Sequence, residues 1–276
     1  MLNRVRRTKL KILALDFDGV IVDSILDSLF VSHNAYLNLY GSKSTNSFAG
    51  KLFTFENWEK IKIEYREEIN YYRTFRPFIR GATDYGIINK LMEEKKHIAN
   101  QEEFDRYRTS VEFDFEGYHK AFYNERERLQ NINYRSWYNL EPPYPEIIKG
   151  IKKLLEDGIK IVVATSNRRK AIMRSFTPEY FGFFIAPEDI LDKRFGEDKS
   201  EQMKYILNKF QVEFKDIYFV DDLVNHLISV KSLGVNVFLA GWSYATKEQK
   251  EKACLLKIPI IEKEEKFLPT LKKMLY

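Results

Sequence analysis

The chain has 276 residues, of which 44% are hydrophobic, and its 45 basic and 40 acidic residues give a net charge of +5. This composition predicts one large or two small globular domains, and the mild charge excess does not favour nucleic acid as a partner. No stretch reaches the about 20 apolar residues of a membrane helix. The single cysteine, Cys254, excludes an internal disulfide, so we expect a soluble cytoplasmic protein with no membrane partner.

The first predicted element is a short buried strand in the segment KILALDFDG, residues 11–19. The basic run around its start is interpreted as a solvated end of the chain, with a nucleic-acid-binding arm as the alternative. The run comprises Arg4, Arg6, Arg7, Lys9 and Lys11. The apolar residues that follow, Ile12 to Leu15, are too few for a signal peptide and lead directly into Asp16 and Asp18.

Residues 25–141 show a different pattern, without a convincing buried strand. Charged and aromatic segments such as NWEKIKIEYREEINYYR (57–73) predict helices, and the region holds 23 of the 41 aromatic residues. The proline-rich segment EPPYP (141–145) predicts a stiff connector at its end. We therefore predict a helical domain of residues 25–141, inserted into a core domain of residues 1–24 and 142–276.

Helix and strand patterns alternate from about Tyr144 onward. The predicted helices present apolar residues at helical spacing, first at Ile147, Ile151, Leu154 and Leu155, then at Met203, Ile206, Leu207 and Phe210, and finally at Leu227, Val230 and Leu233. The predicted strands are IKIVVA (159–164), IYFV (217–220) and VNVFLA (235–240). Because these strands are apolar throughout, the core is expected to be an α/β domain whose parallel sheet is covered on both faces.

The most specific pattern for chemistry is Asp16-Phe17-Asp18-Gly19, directly after an apolar strand. Ligands of parallel α/β sheets bind beyond the carboxyl ends of the strands, so both carboxylates are expected in the binding crevice. Taken alone, the same residues are equally typical of an acidic turn that simply ends a strand.

The segment DFDGVIVDS resembles the first motif of the haloacid dehalogenase superfamily, in its phosphatase branch. The resemblance implies a Rossmann-like core with an inserted helical cap domain. It also implies that Asp16 is the nucleophile and Asp18 a general acid/base. The halogen-removing branch lacks the second aspartate of this motif, so Asp18 favours phosphoryl chemistry.

Two later segments fit the second and third motifs of the family. In VVATSN (162–167) the resemblance assigns Thr165 and Ser166 to the binding of phosphate oxygens, although such residues also cap helices. Lys199, at the start of a predicted helix, is assigned to the neutralisation of phosphate and nucleophile. Lys193 is the alternative, and the proline that usually follows this lysine in the family is absent.

The fourth motif is the acidic pair in IYFVDD (217–222). The resemblance implies that Mg²⁺ is bound by Asp16, the backbone carbonyl of Asp18, and Asp222. It implies that Asp221 supports the site without binding the ion directly. His226 stands where the family often has another aspartate. An acidic pair at this position is also typical of a helix N-terminus.

The sequence therefore predicts a Mg²⁺-dependent phosphatase that hydrolyses a small phosphorylated metabolite through an aspartyl-phosphate. A phosphomutase with the same site, a non-catalytic binding protein with the same fold, and a nucleic-acid phosphatase are the alternatives. Arg76 and Arg80, among aromatic residues of the cap, are candidates for substrate contacts, or pair with acidic residues of the cap. Neither the substrate nor the oligomeric state follows from the sequence.

Overall fold

The structure is a computed structural model that describes residues 10–41, 48–196 and 198–276. Most of the N-terminal basic run, Arg4 to Lys9, lies outside the described residues. The chain forms two compact units. The core unit contains the residues up to Asp23 and those from Pro143 onward, and the insertion unit contains Ser24–Pro142.

The secondary structure of the described residues alternates as expected in the core unit and is helical in the insertion unit. The strands are β1 (Ile12–Leu15), β2 (Lys160–Ala164), β3 (Ile190–Leu191), β4 (Ile217–Asp221), β5 (Asn236–Ala240) and β6 (Ile260–Ile261). The helices are α1 (Ile25–Tyr40), α2 (Trp58–Glu64), α3 (Arg66–Phe75), α4 (Ala82–Glu93), α5 (Gln101–Ser110), α6 (Phe115–Ile132), α7 (Tyr134–Tyr138), α8 (Pro145–Glu156), α9 (Arg169–Ile172), α10 (Lys199–Phe210), α11 (Val224–Lys231), α12 (Lys247–Leu255) and α13 (Phe267–Leu275). No helix among the described residues is long and apolar enough to cross a membrane.

The core unit is built on a parallel sheet with the strand order β3-β2-β1-β4-β5-β6. In its centre Leu13 of β1 lies opposite Ile161 of β2 and Tyr218 of β4. Ile12 and Ala14 pack into the same cluster as apolar residues of α10 and α11. The intervening residues of β1 are equally buried although they point to the opposite face. The prediction of a parallel sheet covered on both faces is confirmed.

The insertion unit is packed around aromatic side chains. Its fully buried rings include Trp137, Tyr36, Tyr72, Tyr118 and Phe30. The segment predicted as helical, residues 57–73, forms α2 and α3, which are separated by a break at Tyr65 (φ −116°, ψ 36°). No strand occurs in the part of this unit that the structure describes. The high aromatic content therefore reflects a helical core of its own.

A single arginine joins the two ends of the insertion unit. Nη2 of Arg126 lies 3.1 Å from Oδ2 of Asp27, near the start of α1, and 2.6 Å from Oε1 of Glu141, near the end of the unit. All three side chains are buried, and the guanidinium stacks over the ring of Trp137 at 5.3 Å. Since two carboxylates share one buried cation, removing that cation would take a charged partner from both of them at once.

Candidate active site

The predicted motif residues follow three strands that are neighbours in the sheet. Asp16 follows β1, Thr165 follows β2, and Asp222 follows β4. Because β1 lies between β2 and β4 and all three are parallel, their carboxyl ends open on the same edge of the sheet. The strand order also reverses here, which is where doubly wound sheets form their ligand crevice.

The carboxylate of Asp16 is buried and faces a cation. Its Oδ1 accepts a hydrogen bond from the backbone N–H of Phe17 at 2.7 Å and lies 3.0 Å from Nζ of Lys199. Burial is the largest influence and raises the pKa of Asp16 to about 6; Lys199 opposes this shift, whereas Asp221 and Asp18 add to it. Asp16 therefore needs cationic neighbours to remain ionised.

Lys199 is the buried cation of the crevice. Its ammonium donates to the carbonyl of Ala164 at 2.5 Å and lies 3.7 Å from Oδ2 of Asp221, in addition to its contact with Asp16. Burial disfavours the charge of Lys199, but these two carboxylates outweigh it and raise its pKa. Helix α10 begins at Lys199 because Asp198 caps it by accepting a hydrogen bond from Glu201.

The lysine considered as an alternative lies in a different environment. Lys193 is exposed on a short turn after β3, whereas only 4% of Lys199 is exposed. Burying an ammonium group is unfavourable unless it is paired, and the two carboxylates provide that pairing for Lys199. The structure therefore brings Lys199, and not Lys193, into contact with Asp16.

Asp221 and His226 continue the series of paired groups that begins with Asp16 and Lys199. Nδ1 of His226 lies 3.0 Å from Oδ2 of Asp221, and Oδ1 of Asp221 accepts a hydrogen bond from the N–H of Leu223 at 2.8 Å. Burial would raise the pKa of Asp221, but His226 and Lys199 outweigh it and lower that pKa. Conversely, burial would lower the pKa of His226, and Asp221 raises it.

Asp16, Asp221 and His226 also form a group that could hold a metal ion, since their ligand atoms lie within 4.8 Å of one another. The ammonium of Lys199, however, already touches the carboxylates of both aspartates. A metal ion bound to this group would have to compete with that ammonium. We therefore interpret the group as a charge network and not as a metal site.

Asp222 lies against the backbone of Gly19. A Cβ atom at Gly19 would lie 2.7 Å from Oδ2 of Asp222 and 2.9 Å from Oγ of Ser243, closer than real Cβ contacts allow. Gly19 also has a φ of +78°, which residues with a side chain rarely adopt. The glycine of the first motif thus lets the Asp222 carboxylate approach the loop that carries Asp16 and Asp18.

The model of the haloacid dehalogenase-like hydrolase family matches residues 10–234. The chain belongs to this family. Its resemblance to the superfamily, inferred from the motifs, is thereby confirmed. None of the curated proteins compared with this haloacid dehalogenase-like hydrolase matches its sequence.

Several solved structures share the fold of this haloacid dehalogenase-like hydrolase. A candidate phosphoglycolate phosphatase from Lactobacillus delbrueckii subsp. bulgaricus is 14% identical with a TM-score of 0.58, covering 95% of this chain and 98% of its own. A predicted phosphoglycolate phosphatase from Haemophilus somnus is 16% identical with a TM-score of 0.55, covering 96% and 99%. A candidate β-phosphoglucomutase from Thermotoga maritima is 16% identical with a TM-score of 0.50, also covering 96% and 99%.

Thr165 and Ser166 occupy the turn that follows β2. Thr165 is fully buried, and its Oγ1 accepts a hydrogen bond from the N–H of Asn167 at 3.0 Å. Helix α9 begins only at Arg169, with Arg168 before it, so Thr165 is not a helix cap. A hydroxyl that accepts one hydrogen bond can still donate another, so Thr165 retains its O–H for a ligand.

Asn167 is a residue of this crevice that the sequence analysis did not single out. Its side chain is buried, and its Nδ2 donates to Oδ2 of Asp18 at 3.3 Å. Asn167 stands two residues after Thr165, in the segment TSN. Only the adjacency of β1 and β2 brings it to Asp18, which lies 149 residues away in the chain.

The two candidate arginines of the cap lie in the insertion unit. Arg80 forms an ion pair with Asp105, and 49% of its side chain remains exposed. Arg76 is buried, with 4% exposed. Pairing with an acidic residue of the same unit was the alternative to a substrate contact, and Arg80 shows this pairing. A role of either arginine in substrate selection stays a prediction.

Proposed function

We propose that this haloacid dehalogenase-like hydrolase is a Mg²⁺-dependent phosphatase with Asp16 as the nucleophile. The observation that carries the proposal is the buried pair of Asp16 and Lys199, 3.0 Å apart at the end of β1. An anionic nucleophile must approach an anionic phosphate, and a fixed cation beside it reduces the repulsion. The pair therefore suits nucleophilic attack on a phosphate ester.

The oxygen atoms around Gly19 fit the metal that the family resemblance implies. Mg²⁺ takes hard oxygen ligands, and Asp16, the backbone carbonyl of Asp18, and Asp222 offer them. The absence of a side chain at Gly19 is what allows Asp222 to approach this loop. When bound there, Mg²⁺ would neutralise negative charge that Lys199 alone leaves uncompensated.

The chain's own residues then divide the reaction between them. An Oδ of Asp16 forms a bond to phosphorus while the bond to the leaving oxygen breaks, and Lys199 and Thr165 hold the phosphoryl oxygens with the backbone of Ser166. Asp18 gives its proton to the leaving oxygen. Asp18 then takes a proton from the water that attacks the aspartyl-phosphate, which restores Asp16.

The edge of the core unit next to this site is rich in cations, which supports an anionic substrate. The basic residues of the loops after β2 and β3 are Arg168, Arg169, Lys170, Arg174, Lys193 and Arg194. Asp192 joins the two loops, since it accepts hydrogen bonds from the N–H of Arg169 at 3.0 Å and from Nη2 of Arg194 at 2.8 Å. Such a field raises the local concentration of phosphate esters.

The insertion unit is assigned the role of a cap that selects a small phosphorylated metabolite and excludes water from the reaction. Its position in the chain supports this role, because every residue proposed for catalysis, phosphate binding or metal binding lies outside Ser24–Pro142. The cytoplasmic location stays a prediction.

A phosphomutase is the second candidate function, favoured by the fold shared with a candidate β-phosphoglucomutase. Both reactions pass through the same aspartyl-phosphate and differ in whether water or a sugar hydroxyl accepts the phosphoryl group. Transfer of labelled phosphate from a sugar phosphate into water or into a second sugar distinguishes them.

The deciding experiment is a panel of small phosphate esters assayed with Mg²⁺ and with a chelator, using the wild type and Asp16→Asn. The wild type should hydrolyse at least one ester and should form an acid-stable phosphoenzyme on rapid quenching. Asp16→Asn should fold and do neither, because the amide does not attack phosphorus. Hydrolysis retained by purified Asp16→Asn would refute the proposal.

A further inference from the structure

The side chain of Asn167 is held in one orientation by its neighbours. Its Oδ1 accepts a hydrogen bond from the backbone N–H of Arg168 at 2.9 Å, and its own backbone N–H donates to Oγ1 of Thr165 at 3.0 Å. Because the oxygen end of the amide is engaged, the NH₂ end must point the other way. It points to Oδ2 of Asp18, at 3.3 Å.

We propose that Asn167 is a positioning residue that holds the carboxyl group of Asp18 towards the leaving oxygen of the substrate. The inference rests on the function proposed above, in which Asp18 passes a proton to that oxygen. Asp18 lies on a loop and not on a strand, and its side chain is only partly buried. A carboxyl group in such a place rotates unless a donor fixes one of its oxygens.

An asparagine suits this role because its amide is a neutral donor. Lysine or arginine in its place would add a cation that competes with Lys199 and a metal ion for the carboxylates of the crevice. An aspartate would add another negative charge beside Asp16. The amide holds Asp18 without changing the charge of the site, and the turn that carries Thr165 keeps the amide in place.

The chemistry of the step provides a selective test. In the first half-reaction Asp16 bonds to phosphorus, the phosphorus–oxygen bond of the ester breaks, and the proton of Asp18 moves to the departing oxygen. An alkoxide leaves poorly without that proton, whereas p-nitrophenolate is stable enough to leave without it. Loss of correct proton delivery should therefore slow alkyl esters far more than p-nitrophenyl phosphate.

The experiment compares kcat/KM of the full-length protein for an alkyl phosphate with that for p-nitrophenyl phosphate. General acid catalysis contributes about 10²- to 10⁴-fold, so Asn167→Leu should lower the value for the alkyl ester by about 10- to 100-fold. The value for p-nitrophenyl phosphate should fall by less than about threefold. Leucine keeps the branching of asparagine at Cγ but has no polar atoms, so it fills the site while it removes the hydrogen bond to Asp18. If this variant folds poorly, Asn167→Ser, too short to reach Asp18, gives the same comparison.

Two further variants separate the possible failures. Asp18→Asn should show the same selectivity more strongly; if it slows both esters equally, the assignment of Asp18 as proton donor fails, and the proposal for Asn167 with it. If Asp18→Asn is selective but Asn167→Leu slows both esters equally, only the proposal for Asn167 is overturned. Asn236→Ala is the matched control, because the side-chain amide of Asn236 also donates hydrogen bonds, here to the backbone carbonyls of Lys215 and Ile217. Asn236 begins β5 and therefore lies at the edge of the sheet opposite the carboxyl ends of the strands. This variant should leave both activities unchanged.

Discussion

Replacement of Gly19 by alanine tests whether activity requires Asp222 to lie against the loop that carries Asp16 and Asp18. The new Cβ would lie 2.7 Å from Oδ2 and 2.8 Å from Cγ of Asp222, so the carboxylate has to move. The positive φ of +78° adds strain of about 1–2 kcal/mol, and displacement of a buried group adds about 1–3 kcal/mol. We expect Gly19→Ala to destabilise the protein by about 2–5 kcal/mol.

Gly182 offers a matched control for the backbone strain. Its φ is +77°, nearly that of Gly19, but a Cβ there would meet nothing within 4 Å. Gly182→Ala should therefore lose only about 1–2 kcal/mol, and its turnover should be that of the wild type. The difference between the two variants isolates the contact with Asp222.

The consequence for activity should exceed that for stability. A misplacement of about 1 Å in a reacting group can lower the rate by about 10²-fold, so Gly19→Ala should lose at least that much of kcat/KM. Its thermal midpoint should also respond less to Mg²⁺ than that of Gly182→Ala, because a weaker ligand set gives less stabilisation by binding. Denaturant unfolding, a Mg²⁺ titration of the midpoint, and turnover are the three measurements. Equal stability, Mg²⁺ response and turnover in the two variants would refute the reasoning.

Four further predictions concern other contacts. Burial raises the pKa of Asp16 from 3.8 to about 6, so the metal-free protein should lose stability as pH rises from about 4 to about 6, where the folded state still holds a proton that the unfolded state has released. Thermal unfolding in chelator should show Asp16→Asn gaining stability relative to the wild type between these pH values. Turnover should vanish in chelator, return with Mg²⁺ and be poorly supported by Ca²⁺, whose looser coordination would misplace the nucleophile; full turnover in chelator would remove the metal from the mechanism. Arg126→Met should lower the free energy of unfolding in a denaturant titration by about 3–5 kcal/mol, because it removes the cation that Asp27 and Glu141 share. The control is Arg106→Met, at an exposed ion pair, which should change that free energy by less than about 1 kcal/mol. Arg80→Ala should raise KM for large esters but not for p-nitrophenyl phosphate; equal losses on both, shared by Asp105→Asn, would indicate that the ion pair only stabilises the insertion unit.

The long central strands could be predicted from the sequence, because a parallel strand buried on both faces is apolar throughout. This holds for β1, β2, β4 and β5. The edge strands β3 and β6 have two residues each, too few for any pattern, and they form only because β2 and β5 offer them partners.

The chemistry of the site was predictable only in part. Lys199 could be chosen because a capped helix starts there, which is a local signal. The hydrogen bonds of Asn167 to Asp18 and of His226 to Asp221 are different, because polar residues of these kinds are common near turns and helix starts. Only the parallel order of β2, β1 and β4 gives Asn167 its partner, so a chain read without its fold cannot reveal that contact.

The two connections between the core unit and the insertion unit are adjacent, and this affects how freely the insertion can vary. Val22 pairs with Pro143, and the N–H of Tyr144 donates to the carbonyl of Ile21. The segment that leads into the insertion and the segment that leads out of it are therefore adjacent within the core unit. Within the insertion unit, Arg126 bridges Asp27 and Glu141, which lie near the two ends of that unit in the chain. Because the two connections to the core unit are adjacent, we expect that the segment between them can be lengthened or exchanged with little change to the strands of the core unit. Substrate specificity can then change through the insertion while the core unit stays the same. A foreign domain inserted between Asp23 and Pro143 would test this independence.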